Sequence, residues 1–115
     1  MPQQWELEFS RAYDVPREVT THPQIYDVSW RHNPCPTFCL RSHAGSNVMD
    51  RATLTVDHPV ASSRENPGNP RFVVWCPNGD GELEEFFSSE TDCAGAIDAL
   101  LALEYRRWGT NQFDR

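Results

Sequence analysis

Apolar and polar positions alternate with period two in several stretches, and three–four spacing takes over only near the C-terminal end. Trp5-Glu6-Leu7-Glu8-Phe9 sets Trp5, Leu7 and Phe9 on one side and two glutamates on the other. That is the pattern of a half-buried strand. Ile25 to Trp30 alternates again, with Tyr26, Val28 and Trp30 on one face. Phe38-Cys39-Leu40 reads as a short strand or a helical turn opened by Pro36, and Ala52 to Val56 as a third good strand. Phe72-Val73-Val74-Trp75-Cys76 is a continuous apolar run of β-formers, which predicts a central strand. Pro77 to Gly81 is a hairpin loop in which the glycines permit positive φ. Glu82 to Phe87 is its return strand, and Glu84-Glu85-Phe86-Phe87 breaks strict alternation, which predicts a bulge.

After Phe87 the period changes. Ile97, Leu100, Leu101, Tyr105 and Trp108 follow helical spacing and give one apolar stripe. Ser88 or Ser89 is the expected cap, with Ser89 and Asp92 in capping-box positions. Arg106 and Arg107 suit the last turn, and Gly109 suits the stop. Gly95 inside this helix predicts close packing on the strands. The order of elements predicts an α+β fold: an antiparallel sheet of about four or five strands with a C-terminal amphipathic helix, near residues 89–108, packed on one face.

At 115 residues the chain has room for one core, so residues 1–115 are expected to form a single domain. A hydrophobic content of 38% excludes a disordered composition. No apolar run approaches the roughly 20 residues that span a bilayer, so no membrane partner is expected. Residues 1–6 lack a basic region followed by an apolar stretch, which predicts no secretory leader and a cytoplasmic location. The four cysteines then default to thiols. Residues 61–70, ASSRENPGNP, read as a mobile loop.

The charge of −7 is uneven. Of the 17 acids, eight lie between Phe72 and Tyr105, a stretch without arginine; nine acids and all ten basic residues, every one an arginine, lie outside it. Asp80, Glu82, Glu84, Glu85, Glu90 and Asp92 form the candidate binding patch. Concentrated like charge suits a basic surface on another protein. A solvated face with ordinary helix-capping acids explains the same residues. Direct nucleic-acid binding is disfavoured, because only Arg106 and Arg107 are adjacent basic residues.

Candidate chemistry is sparse. His32, Cys35, Cys39 and His43 are ligand types that suit Zn²⁺. All four fall within twelve residues and are interrupted by Pro34 and Pro36, unlike the paired spacing of familiar zinc modules, so no metal or other cofactor is expected. Cys93, in the first helical turn, has no evident histidine partner. No nucleophile-elbow, phosphate-loop, dinucleotide or zinc-protease motif occurs. The sequence therefore favours a non-catalytic acidic binding protein. It would be a small adaptor or inhibitor docking on a partner's basic surface, with nucleic-acid-handling machinery one supplier of such surfaces. That profile also suits a small accessory protein of a virus or mobile element. The alternatives are a zinc-dependent structural or catalytic domain built on residues 32–43, and an enzyme without a recognisable motif.

Overall fold

The computed structural model describes residues 3–45, 51–78 and 80–104. Five strands follow one another in space as they do in sequence: β1 (Ile25–Asp27), β2 (Thr37–Leu40), β3 (Thr53–Val56), β4 (Phe72–Pro77) and β5 (Leu83–Ser89). Every neighbouring pair is antiparallel. Two short helices, α1 (Gln4–Glu8) and α2 (Arg17–Thr20), precede the sheet, and α3 (Cys93–Leu101) follows it. The expected α+β class and sheet-plus-helix arrangement are both present.

The register explains the core. Phe38, Leu54, Val74 and Phe87 sit opposite one another across β2 to β5 and form one row. Ala96, Ile97, Leu100 and Leu103 cover that row and bury Phe38, Leu54 and Val74 almost completely. α3 packs against β2, β3, β4 and β5, while α2 packs against β1 and Trp5, Val15 and Val19 join the same core. The expected bulge is present: Val74 faces Phe87 while Trp75 faces Glu85, which leaves Phe86 as the extra residue.

The N-terminal strand is a correction. Residues Gln4–Glu8 are helical, because Trp5 and Phe9 are four apart and satisfy a helical period as well as an alternating one. Polar partners decide between the two. The Asp27 carboxylate accepts from the Trp5 N–H at 2.9 Å, Glu6 accepts from the Gln3 N–H at 2.8 Å, and Glu8 accepts from the Arg31 N–H at 2.9 Å. Trp5 is buried and Leu7 is 68% exposed, which breaks the expected common face. The second strand is shorter than expected and stops at Asp27, whose side chain turns back to accept the Ser29 N–H at 3.0 Å.

The cap of α3 also differs. Asp92, not Ser88 or Ser89, is the N-cap and accepts from the Gly95 N–H at 2.8 Å. Ser89 Oγ accepts from the Asp92 N–H one step earlier, at 2.9 Å. The cap carboxylate also accounts for Gly95. A Cβ there would lie 2.3 Å from the Asp92 carboxylate, so the close approach is to the cap and not to the strands. Tyr105, Arg106, Arg107, Trp108 and Gly109 lie outside the described residues. Among the described residues, no helix is long and apolar enough to cross a membrane.

Candidate functional site

The six candidate acids fall into two groups. Asp80, Glu82, Glu84 and Glu85 cluster on the β4–β5 hairpin and are exposed. The turn that carries them is built by Asn78, whose Oδ1 accepts from the Asp80 and Glu82 N–H groups at 2.8 and 3.3 Å. Gly81 completes it with φ of 84°, a conformation L side chains rarely adopt. Glu84 accepts from Asn78 Nδ2 at 3.2 Å and Glu85 from Ser88 Oγ at 3.0 Å. None of the four makes a salt bridge among the described residues.

Glu90 and Asp92 are elsewhere. β5 is seven residues long, which separates its ends by roughly 20 Å. Asp92 is engaged as the helix cap. Glu90 is engaged by Arg64, whose guanidinium bonds both of its carboxylate oxygens. That bond is the main cause holding the Glu90 carboxyl below its ordinary range and the Arg64 guanidinium above its own.

Arg64 also corrects the picture of residues 61–70. Its side chain is fully buried. Nε donates to the His58 carbonyl at 2.7 Å, and Nη1 donates to the Asn69 carbonyl at 2.7 Å. The segment is therefore wrapped around a buried cation rather than slack.

The face of the sheet opposite α3 holds the feature that sequence reasoning missed. A groove of about 610 Å³ runs over it. Val28, Val73, Trp75 and Leu83 give it an apolar floor, and Thr37, Thr53 and Thr55 cross that floor as polar ribs. Trp30, Pro34, Asn69 and Pro70 also line the groove. Trp30 is 55% exposed, its ring edge-on to His32 at 4.6 Å between centroids. The Trp75 indole N–H donates to Thr55 Oγ1 at 3.2 Å. Volume and lining match a binding cleft: largely apolar, with few polar groups.

Two ionisable groups and a thiol complete the lining. Asp57 lies at one end, only 6% exposed. Its carboxylate accepts one hydrogen bond, from the His58 N–H at 2.8 Å, and makes no salt bridge among the described residues. Arg51 lies six residues back in sequence, beyond the other end of β3, and donates to the Ala44 carbonyl. Burial pushes the Cys35 thiol up to about 12, and the nearby Asp57 charge pushes the same way. Such a thiol is no nucleophile near neutral pH.

The His/Cys cluster is not assembled. His32 packs on Trp30, while His43 Nε2 contacts the Glu104 carbonyl at 3.1 Å. Cys39 lies within β2, and burial raises its thiol. Among the described residues no three His, Cys, Asp or Glu side chains are placed to hold a metal ion. Cys93 is buried and raised to about 11, by burial first and Glu18 second. No known protein family, curated protein or solved structure matches this chain.

Proposed function

We propose that this chain is a non-catalytic binding protein, a small adaptor or inhibitor that docks on a basic surface of a partner protein through its β4–β5 hairpin. One observation carries the reading. Asp80, Glu82, Glu84 and Glu85 crowd the exposed β4–β5 hairpin with no cation paired to them among the described residues, while Glu90 and Asp92 have structural partners. Like charges held together repel one another, and no internal pair offsets that repulsion here. A basic partner would. A site in the cytoplasm and nucleic-acid-handling machinery as the partner's class belong to the same proposal.

The hairpin carboxylates have a second physical role to separate from this one. β5 is an edge strand, and charge on an edge discourages pairing with foreign strands. Glu82, Glu84 and Glu85 replaced together by Gln keep size and polarity and lose three charges. Affinity capture from the source lysate at low and high salt, followed by identification of the bound protein, tests the difference. The proposal expects a basic partner that dissociates as salt rises and is lost from the triple variant, mainly through slower association. A triple variant that aggregates yet captures the same partner equally well would assign the acids to edge protection alone.

A further inference from the structure

The hairpin lies at one end of the groove. Leu83 lines it, and Glu85 sits directly across from Trp75 in the register. Asp57 is at the other end, a buried carboxylate with one backbone hydrogen bond and free acceptor capacity toward the cleft. An ionised group this buried ordinarily has a cationic partner. Arg64 is close enough to Asp57 to feel its charge, but its guanidinium is spent on Glu90 and the carbonyls of His58 and Asn69, and the two form no salt bridge. Arg71 is engaged too, donating to the carbonyls of Asp57, Tyr13 and Asp14.

We propose that the groove is a docking slot for an arginine side chain of the partner's basic segment, with its guanidinium on the Asp57 carboxylate and its stem along the apolar floor beside Trp75. This rests on the reading of the hairpin as the partner-binding surface, which supplies the basic segment. Charge complementarity selects the occupant. The cleft is largely apolar and holds at one end a carboxylate with no salt bridge among the described residues; the other end, toward the hairpin carboxylates, also carries Arg51. Arginine fits better than lysine for a geometric reason. Its planar fork matches a carboxylate through two parallel bonds, and its plane stacks on an indole face. The Trp75 N–H is already bonded to Thr55, so the ring face is what a ligand meets, and cations favour that face. Asp57 directly follows β3, two residues past Thr55 and so about 7 Å along the chain, and both line the groove, so stem and fork can engage ring and carboxylate together.

The test uses one small probe, N-acetyl-arginine methylamide, titrated into the ¹⁵N-labelled full chain. N-acetyl-citrulline methylamide, neutral and of the same shape, is the control. The readout is the Trp75 indole N–H resonance, assigned by its disappearance in Trp75→Phe. The expected result is a saturable shift with the arginine probe and none with citrulline. Asp57→Asn should weaken the arginine response roughly tenfold or more, the usual effect of losing a charge-assisted bond. No saturable shift, an equal response to citrulline, or unchanged affinity in a folded Asp57→Asn overturns the slot. Should Asp57→Asn fail to fold, the comparison of the two probes on the wild-type chain still decides. The probe carries a single charge and needs no hairpin, so its failure is distinct from failure of the Glu82/Glu84/Glu85 variant.

Discussion

Leu100→Ala lowers the unfolding free energy by about 2–5 kcal/mol, the range for emptying a core leucine site. Leu100, in the last turn of α3, is fully buried within the cluster that includes Leu54, Val74 and Phe38. Among the described residues α3 packs on β2, β3, β4 and β5, so the void lies beneath the one helix that spans those strands. Denaturant unfolding measures the effect. A change below roughly 0.5 kcal/mol would mean that α3 does not seal the core as described.

Arg64→Ala lowers stability by about 2–4 kcal/mol, through a different mechanism. The substitution removes a fully buried side chain and strips donors from the His58 and Asn69 carbonyls. It also frees Glu90, which costs less, because the Glu90 side chain is 54% exposed and water can replace the bond. Glu90→Gln should therefore be much milder than Arg64→Ala. The pair adds an acid dependence whose sign is fixed. Arg64 depresses the Glu90 carboxyl in the folded state, so its contribution is present above the ordinary glutamate value of 4.5. It is lost as pH falls through the lower folded value. Stability of the native chain should thus fall more steeply below about pH 4.5 than that of Arg64→Ala. Parallel curves, or an Arg64 variant as stable as the parent, would contradict the account.

The sheet was legible where residue type supports the period. In Ala52 to Val56 and Phe72 to Cys76 β-branched and aromatic residues weighted the period toward strand, and Glu84 to Phe87 announced its bulge by losing alternation. Trp5 to Phe9 was not legible, because a spacing of four serves both periods and the deciding bonds come from Asp27 and Arg31, far along the chain. The cap of α3 slipped from Ser89 to Asp92 because both residues accept backbone N–H groups, in succession.

The acidic patch was half legible. Local sequence showed the hairpin acids, but only the fold shows that Glu90 meets Arg64 across 26 positions. The groove left a signal that went unused. The run from Phe72 to Cys76 is apolar on both faces, yet only one helix was available to cover it. A strand apolar on two sides under a single helix implies a second apolar surface, and Val73 and Trp75 lie on it. Asp57 escaped notice because nothing local marks a carboxylate as buried.

The central claim is that a basic partner engages the hairpin and the groove-bearing face of the sheet. Hydrogen–deuterium exchange on the complex with the captured partner tests it most directly. The account predicts new protection along β5 and its hairpin, residues 78–89, with a further gain around residues 55–58 at the Asp57 end. The exposed side of α3 should exchange as it does in the free chain. Protection confined to α3 or to the N-terminal helices, with residues 78–89 unchanged, would contradict it.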